Sequence, residues 1–182
     1  MKTYKKMHGM QVATVGEGAI VGKLDDFQFD LESGVVYGFR LRGPGVFAKS
    51  AGVAADQLAC FGRDLVLLKT ETALEWGGER NEEEGRAWAS TWGGTRVMTR
   101  RGAGMGQVED FVLEADPPRV RALLLDGSRI VPLDGRVATG RDGVIVEDPA
   151  VIQDIPEDTE EETTDWWTRV KGAFSSDEKK PG

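Results

Sequence analysis

The run I-V-G-K-L-D-D-F-Q-F-D, from Ile20 to Asp30, decides the fold, because the chain says it again as M-G-Q-V-E-D-F-V-L-E, from Met105 to Glu114. Gly22 matches Gly106, Asp26 matches Asp110 and Phe27 matches Phe111, each at an offset of 84. Upstream, V-A-T from Val12 and V-M-T from Val97 each lead into a glycine-containing loop, with one residue fewer between Val97 and Gly106 than between Val12 and Gly22. Downstream, V-A-A-D (Val53 to Asp56) and G-R-D-L-V-L-L (Gly62 to Leu68) correspond to V-P-L-D (Val131 to Asp134) and G-R-D-G-V-I-V (Gly140 to Val146) at an offset of 78. The middle connection is therefore six residues longer in the first copy (84 − 78). A fixed period of this kind points to two related modules rather than one large domain.

Each copy reads as a small β unit. V-V-Y-G-F-R-L, from Val35 to Leu41, alternates with period two, as a strand with one buried face should. R-V-R-A-L-L-L, from Arg119 to Leu125, is its counterpart, with Pro117-Pro118 at the turn held in the first copy by Ser33-Gly34. Asp64 to Lys69 and Gly143 to Glu147 are short apolar runs that suit closing strands. Neither 1–75 nor 92–148 carries a long 3.6-residue periodicity, so several short strands with glycine turns predict a small barrel or sandwich, twice over.

These residues resemble the PRC-barrel family. G-A-I-V-G-K-L-D-D-F-Q-F-D-L-E-S-G-V-V-Y-G-F, from Gly18 to Phe39, follows that family's order: an apolar-Gly-Lys/Gln-apolar-x-Asp-apolar segment, an acidic-Gly turn, then a V-x-G-apolar strand. Met105 to Glu114 follows it too, and I-V-P-L-D (Ile130 to Asp134) is similar to the family's later apolar-Pro-apolar-Asp strand. The first copy has Ala54 where the second has Pro132, and Asp116-Pro117-Pro118 replaces a glycine turn. The resemblance spans about residues 5–75 and 92–148. It implies a six-stranded β-barrel that acts as an assembly or docking module, as in the H subunit of the purple bacterial reaction centre and in a ribosomal RNA processing factor. Neither of those architectures fits: the chain has no apolar run near 18 residues for a membrane helix, and its N-terminal half is itself barrel-like. The expected architecture is all-β: two small PRC-type barrels packed together about a pseudo-twofold axis, in a bacterial chain. The divisions are 5–75 for the first barrel, 76–91 for a linker, 92–150 for the second barrel and 151–182 for a tail. Modules of some 60–70 residues lie near the lower limit for an independent core, so the two should share a seam.

Composition narrows the function. The 182 residues carry a net charge of −8, of which the tail from Val151 holds −5 (nine acidic, four basic), leaving −3 for residues 1–150. Neither part is an electrostatic footprint for nucleic acid. Lys2, Lys5, Lys6 and Arg100-Arg101 are local basic clusters at a terminus and a turn, read as solvated charge. The lone Cys60 leaves no internal disulfide, and the N-terminus lacks an apolar signal stretch, so a cytoplasmic protein is expected.

Side chains able to carry chemistry are scarce. With one histidine (His8) and one cysteine, the chain has no nitrogen–sulfur metal cluster of the usual kind, and any nucleophilic triad would need His8 as its base. R-G-A-G-M-G, Arg101 to Gly106, looks like a phosphate loop, but Q-V-E-D-F-V-L continues as a strand where a helix should start. Glycine at that turn is better explained by hairpin geometry. The carboxylate pairs Asp25-Asp26 and Glu109-Asp110 are strand neighbours and should point to opposite faces; Asp26 and Asp110 are read as acceptors for backbone donors at a barrel end. No catalytic residue, metal site or cofactor is expected.

The linker is bracketed by Trp76, Trp88 and Trp92, which should cover a barrel end or the seam; its centre, Glu79 to Trp88, could hold a short helix. In the tail, Glu157 to Glu162 has no apolar residue and should be solvated. Beyond it, a short amphipathic helix over about 164–174 would put Trp166, Trp167, Val170 and Phe174 on one stripe, either folded back on the barrels or docked in a partner's groove. The expected function is a non-enzymatic scaffold or adaptor that docks protein partners through its barrels and C-terminal helix. A ribosome-associated assembly factor binding a ribosomal protein or rRNA is the alternative, and an enzyme or small-ligand binder at the seam is a third.

Overall fold

A computed structural model describes residues 2–45, 48–77, 86–126, 129–133, 137–140 and 143–147. The elements run β1 (Lys2–Thr3), α1 (Tyr4–Met7), β2 (Gln11–Thr14), β3 (Ile20–Asp30), β4 (Val36–Arg42), β5 (Ser50–Ala54), β6 (Leu58–Phe61), β7 (Leu65–Leu68) and β8 (Glu75–Trp76). They continue with β9 (Arg86–Trp88), α2 (Ala89–Trp92), β10 (Arg96–Thr99), β11 (Gly104–Ala115), β12 (Pro118–Leu125), β13 (Arg129–Pro132), β14 (Val137–Gly140) and β15 (Gly143–Val146). Short 3₁₀ turns lie at Ala55–Gln57 and Glu71–Ala73. The fold is all-β, as the alternating runs predict.

The strands form two sheets. The first is ordered β6-β7-β2-β3-β4-β5-β8 and the second β13-β12-β11-β10-β15-β14. Read from the same end, the six strands β6-β7-β2-β3-β4-β5 and β14-β15-β10-β11-β12-β13 have one topology, including a parallel pair that brings Val12 beside Val66 and Val97 beside Val144. The irregularities match as well. Register shifts fall between Val12 and Ala13, Leu24 and Asp26, and Gln28 and Phe29 in the first sheet. In the second they fall between Val97 and Met98, Val108 and Asp110, and Val112 and Leu113. Gly22 sits where a Cβ would lie 2.4 Å from the Arg42 carbonyl oxygen, so this approach of β3 to the end of β4 requires glycine.

The two sheets meet through matched positions. Phe27 and Phe111 stack edge to face at 6.1 Å, and Phe29 and Tyr4 also pack on Phe111 at 5.3 and 6.3 Å. An antiparallel bridge joins Val35 to Arg119, again at an offset of 84. Beside it Val120 N donates to the Gly34 carbonyl at 2.8 Å, and Arg119 donates twice to the Ser33 carbonyl, from Nε at 3.0 Å and Nη2 at 2.8 Å. Gly34 has φ +73°, and a Cβ there would sit 2.3 Å from the Val120 oxygen. Residues that touch their own counterparts are the signature of an approximate twofold axis. Phe27, Phe29, Phe39 and Phe111 are each at most 2 % exposed, and side chains of both sheets belong to one apolar core.

The arms are exchanged. β1 leaves its own sheet and pairs with β11, Lys2 against Leu113 and Thr3 against Val112. β9 pairs with β3, Gln28 against Trp88, Phe29 against Ala87 and Asp30 against Arg86. Each arm continues into a four-residue helix, α1 or α2, and then into the first strand of its own sheet. Each sheet's long central strand is thus paired along its first half by its own chain segment and along its second half by the other's arm. This differs from a linker that merely lies against the barrels. Arg86–Trp88 is strand rather than helix, because the second half of β3 offers backbone groups that need partners. Residues 78–85 lie outside the described residues.

Candidate functional site

The two recurring carboxylates are where the arms are fastened. Asp26 is 1 % exposed. Its Oδ1 accepts from Phe27 N at 2.8 Å and from Ser90 N, in α2, at 3.3 Å. Its Oδ2 accepts from Ser90 Oγ at 2.5 Å and Arg40 Nη2 at 3.2 Å. Asp110 does the same work across the axis: Oδ1 accepts from Phe111 N at 2.8 Å and from Lys5 N, in α1, at 3.1 Å. Both carboxylates thus satisfy backbone donors at a turn, as read from the sequence, but the turns belong to the opposite arm.

One expectation is corrected. Asp25 and Asp26 do not diverge to opposite faces. The register jumps from Leu24 opposite Leu41 to Asp26 opposite Arg40, so Asp25 is the extra residue of a β-bulge. The bulge breaks the alternation, and Arg40 reaches both acids, Nε to Asp25 Oδ2 at 2.8 Å and Nη2 to Asp26 Oδ2 at 3.2 Å. Arg42 Nη2 adds a second contact to Asp25 Oδ1 at 2.6 Å. Arg40 also lies over the Trp88 ring, 4.8 Å from its centroid, which ties β9 to β4.

The second cluster is poorer in charge. Opposite Asp110 stands Leu124 instead of an arginine. Glu109, the matching bulge residue, pairs with Lys5 Nζ at 3.0 Å, both more than half exposed. The electrostatic consequences differ accordingly. Burial works against the Asp25 charge, but hydrogen bonds from Arg42 and Arg40 outweigh it and hold its carboxyl below the usual range. Burial pushes the Asp110 carboxyl up, against hydrogen bonds from Phe111 N, Lys5 N and the Thr3 side chain. Tyr4, between the two clusters, is pushed up to about 12, first by burial and then by the Asp26 and Asp25 charges.

Other residues singled out by sequence fall as follows. His8 is exposed after α1, its Nδ1 3.4 Å from the Asp25 carbonyl oxygen. Cys60 is exposed on β6. Trp88 is buried against Arg40, Trp92 packs on the core with its Nε1 buried and unpartnered, and Trp76, 44 % exposed on β8, covers Gly43. Trp166, Trp167, Val170 and Phe174 lie outside the described residues, as does the whole tail from 148. Among the described residues no helix is long and apolar enough to cross a membrane, and no group of His, Cys, Asp and Glu is arranged to hold a metal ion.

Lys2, Met7, Phe39, Phe61, Leu113 and Pro118 line a crevice between the sheets with only about 10 Å³ free, room for about one water. A larger hollow of about 350 Å³ is an open surface feature beside the 3₁₀ turns, lined by Asp56, Gln57, Thr70, Thr72 and Glu75.

Comparison with protein families places a PRC-barrel domain at residues 88–153. Its start coincides with the end of β9, so it takes in α2, which docks on the first sheet. Comparison with curated proteins finds no match.

Proposed function

We propose that the chain is a non-enzymatic scaffold or adaptor of a bacterial cytoplasm, in which residues 5–75 form a second PRC-type barrel beside the one in 92–150. The supporting observations for two copies are the shared strand order and the matched bulges. The observation that carries the scaffold reading is the exchange of arms: β1-α1 and β9-α2 fasten each half to the other. Asp26 and Asp110, the two buried acids among the described residues, are spent with their partners on that fastening. What such a body offers to other molecules is its outer surface and what it carries on a tether.

In this reading the tether is the tail. Residues 164–174 dock a protein partner through Trp166, Trp167, Val170 and Phe174, after the acidic spacer Glu157 to Glu162. Two tryptophans bury on the order of 300–500 Å², a gross gain of roughly 8–12 kcal/mol. Ordering and association cost about 4–15 kcal/mol. The motif alone therefore binds weakly, and useful affinity needs the barrels as a second contact.

The test is Trp166→Ala with Trp167→Ala in the full chain. Capture of partners from native lysate should fall while the melting temperature stays within about 2 °C. A double variant that unfolds early and captures partners undiminished would make the tail a structural cap instead. Co-sedimentation of the chain with ribosomal particles, independent of the tail, would favour the ribosome-assembly alternative.

A further inference from the structure

The β1-α1 arm lies in a slot built by the rest of the body. Lys2 and Thr3 pair with Leu113 and Val112 of β11, and Lys5 N donates to Asp110 at 3.1 Å. Met7, 1 % exposed, lines the seam crevice with Phe39 and Phe61. Tyr4 enters between Phe27 and Phe111, with ring centroids at 5.5 and 6.3 Å. All of these partners lie beyond His8-Gly9-Met10, the three residues that join the arm to β2.

We propose that a second copy of this chain fills the slot at high concentration. Two chains exchange their β1-α1 arms, each Thr3 pairing with Val112 of the other copy and each Lys5 N donating to the other copy's Asp110. The inference rests on the arm and its slot and not on the adaptor reading.

Three observations carry it. First, the arm of another copy has the same sequence, so exchange restores every ladder pair, ring contact and carboxylate bond in the slot. What it gives up is the turn at the hinge, where Gly9 N donates to the Leu24 carbonyl at 2.7 Å and Met10 N to the Met7 carbonyl at 3.0 Å. Second, that turn is not packed in. Gly9 has φ +84°, and a Cβ there would meet nothing within 4 Å. Drawn out, the four steps from Met7 to Gln11 span about 14 Å, so the two bodies meet at their hinge faces, where Lys6 and His8 are exposed. Third, this arm is fastened more lightly than its counterpart. The β9-α2 arm is held by Ser90 Oγ on Asp26 and by Arg40, which reaches Asp26 and lies over the Trp88 ring. Leu124 stands opposite Asp110 where Arg40 stands opposite Asp26. The Lys5–Glu109 pair is more than half exposed on both sides and adds little.

Exchange of an identical element is a low-cost route to a dimer. In dilute solution the short tether keeps each arm at home, and the exchanged pair gains as the chain is concentrated. Such a dimer carries two copies of every outer surface, which multiplies weak contacts to a repeated partner.

Two single-cysteine chains test it, Thr3→Cys and Val112→Cys, each with Cys60→Ser. They are mixed at about 1 mM, the scale of a short tether's effective concentration, warmed to just below the melting transition, cooled, diluted and oxidised. Directly opposite residues of an antiparallel pair stand about 4.5–5.5 Å apart, within reach of a disulfide. The bond between unlike chains should exceed, by at least about 10-fold, that of a control pairing Thr3→Cys with Glu17→Cys, at an exposed turn away from the slot. A smaller excess overturns the proposal. The double variant, Thr3→Cys with Val112→Cys, should close within one chain when oxidised as a dilute monomer. Concentrated and warmed, the closed form should stay monomeric while its reduced form dimerises. Failure to close removes the register on which the exchange depends, and dimers of the closed form use another surface; either overturns the proposal.

Discussion

Replacing Asp26 and Asp110, one at a time, by asparagine should give unequal results at matched positions. Asp26 Oδ2 accepts from Ser90 Oγ at 2.5 Å and Arg40 Nη2 at 3.2 Å. An amide nitrogen there faces Arg40 Nη2, which can only donate, although the Ser90 hydroxyl can turn to accept; if flipped, the amide nitrogen faces the donors Phe27 N and Ser90 N. Hydrogen bonds to a charged group are worth about 1.5–3 kcal/mol each. Arg40 keeps its contact with Asp25, so Asp26→Asn should destabilise by about 2–4 kcal/mol, some 4–16 °C in Tm for a chain of this size. Asp110 is different, because Phe111 N and Lys5 N both use Oδ1, which an amide oxygen replaces. The Thr3 hydroxyl beside it can accept as well as donate. Burial has already pushed the Asp110 carboxyl up, so its charge is a liability, and Asp110→Asn should stay within about 1 kcal/mol of the parent at neutral pH. The pH profile carries a sign. A folded carboxyl that holds its proton more firmly than the unfolded one makes stability fall as pH rises from about 4 through the raised folded value. Asp110→Asn should remove that fall. Asp25, held low, contributes above its unfolded value and loses that contribution as pH drops through its folded one, in both proteins. Denaturant unfolding from pH 2 to 8 covers these windows, and equal losses for the two variants would refute this account of the fastenings.

Arg40→Leu, which copies Leu124 from the second sheet, strands a buried carboxylate and should destabilise by about 3–5 kcal/mol; adding Asp26→Asn should recover part of the loss in the same melts. Gly22→Ala places a methyl 2.4 Å from a carbonyl oxygen and should cost more than about 2 kcal/mol, whereas Gly104→Ala, with open space and no unusual backbone, should be nearly silent. Phe111→Ala should cost about 3–5 kcal/mol and lower a single calorimetric transition, since Tyr4, Phe27 and Phe29 of the other half pack on it. Two separated transitions in the parent chain would show that the halves fold independently.

What could be seen in the sequence was whatever side chains specify. Gly22 is forced by the close approach of the Arg42 carbonyl and Gly106 by its φ of +116°, Asp26 and Asp110 by a buried set of donors, and Phe27 and Phe111 by the seam, so their spacing survives in both halves. The arms were illegible for the opposite reason. T-Y-K-K-M and W-A-S-T-W, Thr3 to Met7 and Trp88 to Trp92, share no residue in register: what the arms have in common is a backbone N–H given to the recurring aspartate and ladder pairs that any side chain permits, while the contacts of Ser90 Oγ and of the Trp88 ring belong to one arm alone. The convergence of Asp25 on Asp26 was hidden by the bulge, which leaves no composition signal in a run read as strict alternation.

The exchanged arms also set an order of events during synthesis. The first half cannot be finished when its own last strand has been made, because the second half of β3 waits for Arg86–Trp88. Lys2 and Thr3 wait longer still, until Val112 and Leu113 exist to pair with them, and Lys5 until Asp110 does. A nascent chain stopped anywhere before that point carries an unpaired strand end and an exposed aromatic face. Contacts between residues more than a hundred positions apart are slow to form. The chain's earliest residues are thus among the last to find their place, and the interval before they do is when it is most open to aggregation.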